Sequence, residues 1–272
     1  MDSGEIPDED IIPGVGLGEL EPRLGLRRDI VDELRWTFTS RLGWIVQVLF
    51  NLAIGVPIVL ITSWNAHHDT IRVGGFATSL AGWAFASVIN TNQLGFDADR
   101  VQASLRRGDE AARILVLKNL TILLVIAPIT MTLTAILRIT VVHDPGNIPM
   151  ALTRDAADFM MWLGFGCVVS VLLPFRPLGW RRRLERKSTW PRLGLCIAAP
   201  YAVYYLVFPL WHGAELAAAD WTFNHRLSGH VWGYSLFLLG CSLGTWGFGL
   251  AFAQLYSVKA KARLVADLER DG

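Results

Sequence analysis

Six histidines carry the most versatile side-chain chemistry of this chain, and all of them fall between long apolar runs. They are His67, His68, His143, His212, His225 and His230, with several Asp and Glu residues nearby. Such a set could bind a metal ion and support an enzyme at one face of a membrane. Their spacing matches no metal-ligand motif such as HExxH, and histidine also suits a membrane interface. We therefore expect no cofactor, and the metal candidates are limited to His67, His68, His143 and His212.

A second candidate for chemistry is Arg138, which falls about one turn inside the end of an apolar run. Asp158 and Glu215 fall at a similar depth, at the ends of two other apolar runs. A cation placed there needs a partner or a water-filled cavity. The sequence leaves two interpretations open, a structural ion pair and a contact to a substrate headgroup such as a phosphate.

The third candidate is Gly95–Asn119, a strongly charged segment between two apolar runs. The pattern predicts a short amphipathic helix capped by Asp97 and ended by Gly108, followed by a second helix capped by Asp109. Such a helix could dock a soluble partner, whereas the alternative is an ordinary solvated loop. The candidate docking residues are Gly95, Asp97, Val101, Leu105, Arg106, Arg107, Gly108, Asp109, Arg113 and Lys118.

The elements that must position these residues are membrane spans. The chain of 272 residues is 52% hydrophobic and only 18% charged, with a mean hydropathy of +0.37. Because about 20 apolar residues in a helix cross about 30 Å of hydrocarbon, the runs predict an all-α bundle of six transmembrane helices. The predicted spans are Trp44–Trp64, Val73–Thr91, Leu120–Val142, Ala157–Leu178, Leu193–Leu210 and Val231–Ser257.

The segments that flank this six-helix domain (residues 44–257) are polar. Residues 1–23 are acidic and rich in Gly and Pro, which predicts a disordered arm. Residues 24–43 repeat an apolar residue every fourth position among charged ones, which predicts an amphipathic helix lying on the membrane surface. The alternative is a helix that faces solvent and packs on the protein itself. Residues 258–272 predict a short cytoplasmic extension of the last helix. The first 40 residues lack the apolar core of a signal peptide, so none is expected.

The distribution of Lys and Arg predicts the topology. Of 25 such residues, 21 fall in the terminal segments and in alternate loops, including the one at 94–118. By the positive-inside rule, both termini and this loop then lie in the cytoplasm of a multi-pass cell-membrane protein. The net charge of +1 gives no reason to expect a nucleic-acid partner.

The segment around the charged loop resembles type-2 permeases of ATP-binding-cassette transporters, of the kind found in actinobacteria. The resemblance is carried by an N-x-x-G-x-D pattern after the second span, then a Gly and a basic run into the third. Those residues are Asn92, Gly95, Asp97, Gly108, Arg113, Lys118 and Asn119. The six spans, the helix before the first span and the cytoplasmic termini are also similar to that family. No re-entrant pair of half-helices is visible between spans five and six.

The resemblance implies a permease subunit of an ATP-driven exporter whose loop docks on a cytoplasmic ATPase. The chain holds no G-x-x-x-x-G-K-[ST] motif, so ATP hydrolysis is expected from a separate subunit and no catalytic residue is expected here. Six spans would form half a pathway, which implies a homodimer or heterodimer in contact with membrane lipids. The alternatives are an integral membrane enzyme using the outer-face His and acid residues, and a non-catalytic membrane scaffold.

Overall fold

The computed structural model describes residues 26–40, 92–141, 148–174 and 230–269, together with a few single positions elsewhere. This part of the chain is helical and contains no strand. Its helices are α1 (Leu26–Ser40), α2 (Ala98–Arg106), α3 (Ala111–Thr140), α4 (Ile148–Leu172), α5 (His230–Lys259) and α6 (Lys261–Glu269).

Three of these helices, α3, α4 and α5, are long and apolar enough to cross a membrane. They overlap the third, fourth and sixth predicted spans, so the all-helical prediction and three candidate membrane spans are confirmed within the described residues. Apart from a few single positions, the first, second and fifth predicted spans lie outside the described residues, as do the arm at 1–23 and the part of the loop from 212 to 229. The total of six spans therefore stays a prediction.

Two glycines let α4 and α5 approach closely. A Cβ atom added at Gly164 of α4 would lie 2.6 Å from the backbone oxygen of Thr245 on α5, and one added at Gly249 would overlap the backbone of Gly164. The two backbones therefore touch with no side chain between them, as in other small-residue contacts of membrane helices. This contact makes α4 and α5 the most extensively packed pair of described helices.

The buried apolar side chains form two clusters, one toward each end of the bundle. The first joins α3 to α4 and includes Ile126, Leu137, Phe159, Trp162 and Leu163. The second joins α2 and α6 to the ends of α3, α4 and α5; it includes Leu94, Val101, Leu105, Leu115, Cys167, Ala253, Leu264 and Leu268. The two short helices are thus part of the packed structure.

Local chemistry explains where α2 ends and α3 begins. Gly108 has a φ of +95°, a left-handed conformation that suits glycine, so the chain turns there. The extended residue that precedes α3 is Glu110, one position later than the Asp109 expected from the sequence. Pro128 lies inside α3, and the helix continues through it.

The C-terminal segment differs in detail from the expected simple extension. Helix α5 ends at Lys259, and a separate helix α6 begins at Lys261. The amide of Ala260 still donates to the carbonyl of Tyr256 at 2.8 Å, so the backbone hydrogen bonding is only briefly interrupted. Helix α6 then packs against α2.

Candidate functional site

The middle of α1 meets the start of α2 and the first part of α3 at a cluster of buried charges. The ammonium group of Lys118, near the start of α3, donates hydrogen bonds to both carboxylate oxygens of Asp97, at 2.6 and 2.7 Å. It donates a third to Oε1 of Glu33 on α1, at 3.2 Å. Since an ammonium group has three donors, Lys118 uses its full hydrogen-bonding capacity inside the protein.

Arg100 of α2 completes this cluster. Its Nη1 lies 2.8 Å from Oε2 of Glu33. Both cations also lie near the ring of Trp36, with Arg100 5.3 Å and Lys118 5.9 Å from its centroid. We call the set Glu33, Trp36, Asp97, Arg100 and Lys118 the charge junction; it contains two formal negative and two formal positive charges.

Three members of the charge junction are buried, whereas the side chain of Arg100 is 38% exposed. Glu33, Asp97 and Lys118 are 8%, 6% and 8% exposed. Burial acts to raise the pKa of Glu33, but the positive charges of Lys118 and Arg100 outweigh it, so that the pKa lies below its ordinary value. For Asp97, burial and the nearby charge of Glu33 raise the pKa in spite of Lys118. Because breaking a buried ion pair leaves an uncompensated charge, the junction holds α1, α2 and α3 in one arrangement.

Further ion pairs surround the charge junction at more exposed positions. Nη2 of Arg113 donates to Asp29 of α1 at 2.7 Å. Arg106 at the end of α2 pairs with Glu269 at the end of α6. Arg107 donates to the hydroxyl of Ser104 within its own segment. The first two pairs tie α1 and α6 to the segment that includes α2 and the start of α3.

The apolar side of α2 is covered by the chain itself. Val101 and Leu105 are each 2% exposed and pack in one cluster with Leu264 and Leu268 of α6. A soluble partner that met α2 in this arrangement would therefore contact its polar side. The exposed residues there include Asp99, Arg106, Arg107 and Gly108.

Buried polar contacts link the same segment to the membrane-length helices. The amide group of Asn119 donates to Sγ of Cys167 on α4 at 3.2 Å. The backbone amide of Gln93 donates to the hydroxyl of Ser170 on α4 at 2.9 Å. The backbone amide of Ala112 donates to Oε1 of Gln254 on α5 at 3.1 Å. The segment 92–119 is thus bonded to both neighbours of α3.

The structure brings together most of the residues that carry the sequence motif. Asn92, Asp97, Lys118 and Asn119 are all buried at this end of the bundle, although 21 residues separate Asp97 from Lys118. Glu33 and Trp36 were missed by sequence reasoning. The sequence showed only that Glu33 lies four residues after Asp29 on the same face of a helix, and no pattern indicated what that face contacts.

The candidates at the opposite end of α3 are only partly described. Arg138 is 7% exposed and Asp158 is partly buried, whereas Glu215 lies outside the described residues. His143 is exposed with a φ of 54°. His67, His68 and His212 lie outside the described part of the chain. Within that part, no group of three His, Cys, Asp or Glu residues is placed to hold a metal ion.

A buried acid near Arg138 was not singled out from the sequence. Asp155 is fully buried, because α4 begins at Ile148, well before the predicted start at Ala157. Its carboxylate lies close to the hydroxyl of buried Thr134 and to the charged groups of Asp158 and Arg138. The hydropathy pattern placed Asp155 in a loop, so its burial on a membrane-length helix could not be anticipated.

Comparisons with known proteins identified no relative of this chain. No family model matches this chain, and no curated protein or solved structure does so.

Proposed function

We propose that this chain is the membrane-spanning permease subunit of an ATP-driven exporter, and that α2 receives motion from a separate ATPase subunit. The observation that carries the proposal is the buried contact of Asp97 with Lys118. It fastens the residue before α2 to the start of α3, a helix long and apolar enough to span a membrane.

The arrangement of α2 favours transmission of motion over simple loop flexibility. Its apolar side is packed, its first turn is held through Arg100 and Glu33, and its last turn is held by the pair of Arg106 with Glu269. A displacement of α2 would therefore move α1, α3 and α6 with it. Packed interfaces tend to switch between discrete arrangements, which is the behaviour that alternating access requires.

The proposed cycle has a simple mechanical form. Two permease subunits enclose the pathway, and each docks the exposed side of α2 on a cytoplasmic ATPase. Closure of the ATPases around ATP pushes α2, and the buried charge junction passes the movement to α3. The substrate pathway then opens toward the other face of the membrane.

The proposal is tested by purifying the tagged chain in mild detergent from cells that produce it naturally. We expect a P-loop ATPase to co-purify in stoichiometric amount, with ATP hydrolysis in the purified complex. Arg107→Glu, which reverses a charge on the exposed side of α2, should reduce the co-purified ATPase at least tenfold.

Arg263→Glu is the matched control, because it makes the same charge change at an exposed position of α6 that pairs only within its own helix at 3.7 Å, with Asp267. This variant should retain the ATPase. Recovery of folded, monodisperse chain that never carries a nucleotide-hydrolysing partner would exclude the exporter proposal.

A further inference from the structure

One face of α1 is not covered by any of the helices that the structure describes. Val31 is 53% exposed and Phe38 is 47% exposed, and the two lie two helical turns apart on the same side. The opposite side of α1 carries Glu33 and Thr37, which are 8% and 7% exposed. The exposed side of α1 therefore combines these two large apolar side chains with charged ones, whereas Ile30, Leu34 and Trp36 are only partly exposed.

The acidic and basic residues of α1 lie mostly on different sides of the helix. Asp29 and Glu33 face the protein and pair with cations of α2 and α3. The three arginines of the helix are exposed, and each lies three or four residues from Val31, so they share its face. They are Arg27, Arg28 and Arg35. Asp32 is the one exposed acid, which leaves an excess of positive charge on this face.

The contact with α3 sets the depth of α1. Glu33 meets α3 at Lys118, where the apolar part of α3 begins. The residues from Leu120 to Leu137 carry no charge and extend about 27 Å, close to the thickness of the hydrocarbon layer. Lys118 therefore marks the level at which α3 enters the membrane, and its contact with Glu33 places that part of α1 at the level of the lipid headgroups.

We infer that the outer face of α1 is a binding surface for anionic phospholipids. Arg27, Arg28 and Arg35 contact the phosphate-bearing headgroups, and Val31 and Phe38 insert at the boundary with the acyl chains. Arginine favours this role because its guanidinium pairs with phosphate in bidentate fashion while its methylene stem lies along apolar surface. This inference does not depend on an ATPase partner and holds for any function of the bundle.

Lipid titration of the purified full-length chain tests the charge component. The chain is held in a detergent with an uncharged headgroup, and phosphatidylglycerol or phosphatidylcholine with the same acyl chains is added while the melting temperature is followed. We expect phosphatidylglycerol to raise the melting temperature and phosphatidylcholine to leave it unchanged. At about 1 kcal/mol per arginine, the variant R27Q/R28Q/R35Q should need on the order of a hundredfold more phosphatidylglycerol for the same shift.

The control for this titration is R263Q, which removes an exposed arginine from α6 and should respond as the native chain does. Equal responses to the two lipids, or an unchanged response of the triple variant, would overturn the inference. The arginines are exposed, so their replacement leaves the packed side of α1 intact.

A nitroxide label introduced by Val31→Cys or Phe38→Cys, in a background without native cysteines, tests the apolar component. In vesicles containing phosphatidylglycerol, we expect high accessibility to oxygen and low accessibility to a water-soluble nickel complex. High nickel accessibility would place this face in water. Low accessibility to both reagents would place a protein, such as a second copy of the chain, against it, and either result would refute the lipid contact.

Discussion

At the scale of single residues, Lys118 is the side chain on which the charge junction depends most. Lys118→Met removes a group that contacts both Asp97 and Glu33, and among the described residues the ion pair that then remains is that of Glu33 with Arg100. Because breaking a buried pair costs about 3–5 kcal/mol, we expect a loss of that size in the free energy of unfolding. Denaturation in mixed micelles measures it.

The double variant Lys118→Met with Asp97→Asn serves as the control. The Asn side chain at position 97 is uncharged, so no unpaired carboxylate is left there. We therefore expect the double variant to be about 1–3 kcal/mol more stable than the sum of the two single effects would give. A loss below about 1 kcal/mol for Lys118→Met alone would be the value of a solvent-exposed pair, and would contradict the buried contact.

The lowered pKa of Glu33 leads to a separate prediction about how stability depends on pH. Its pKa in the folded protein lies below the ordinary value of 4.5 that it regains on unfolding, because Lys118 and Arg100 outweigh the effect of burial. The stability that Glu33 contributes is therefore present above about pH 4.5 and is lost as the pH falls through the folded-state pKa. Asp97 contributes with the opposite sign, since its pKa is raised.

The comparison of native chain with Glu33→Gln isolates the Glu33 contribution, because Asp97 is present in both. We expect the difference in melting temperature between the two to be constant from pH 7 to about pH 5 and to shrink below about pH 4.5. A difference that grows on acidification would mean that Glu33 is protonated in the folded protein.

The sequence could predict which residues of the loop are special but not what they touch. Asp97 and Lys118 belonged to one motif, whereas Glu33 is 85 residues from Lys118. A helical pattern places a residue on a face of its own helix. It carries no information on which other helix meets that face, so the contacts of Glu33 and Trp36 required the structure.

At the scale of helices, the contact of α4 with α5 gives a matched pair of glycine substitutions. Gly164→Ala places a methyl group 2.6 Å from a backbone oxygen that cannot move alone, so the two helices must separate. We expect a loss of about 1–3 kcal/mol in the free energy of unfolding. Gly244→Ala on α5 meets nothing within 4 Å and should be neutral or stabilising by up to about 1 kcal/mol. Equal effects in a denaturation series would contradict the close contact.

The sequence predicted a helix boundary closely only where residue types that end or start a helix occur at the boundary itself. The start of α3 was predicted within one residue, because Gly108 and the acids after it mark a turn and a helix start. The start of α4 was predicted nine residues late, at Ala157 instead of Ile148. Hydropathy excluded Arg154 and Asp155 from the span, but the helix includes them because its backbone hydrogen bonds do not depend on side-chain polarity.

At the scale of the whole molecule, α3 carries polar residues at both ends of its apolar part, which separates the described structure into two polar regions. Lys118 and Asn119 lie at one end of its apolar part, and Arg138 lies at the other. The rise of 1.5 Å per residue places Lys118 and Arg138 about 30 Å apart, which matches the hydrocarbon thickness of a bilayer. The charge junction and the region of Asp155 are therefore expected at opposite faces of the membrane.

This separation can be tested by labelling in intact cells. Glu110 and Gly146 are both exposed and lie beyond the two ends of α3. In a background without native cysteines, we expect Gly146→Cys to react with a membrane-impermeant maleimide from outside the cell. Glu110→Cys should react only after permeabilisation, since the excess of Lys and Arg predicts a cytoplasmic location for its loop. The reverse pattern would invert the topology and remove α2 from the reach of any cytoplasmic ATPase, whereas labelling of both positions from outside would show that α3 does not cross the membrane.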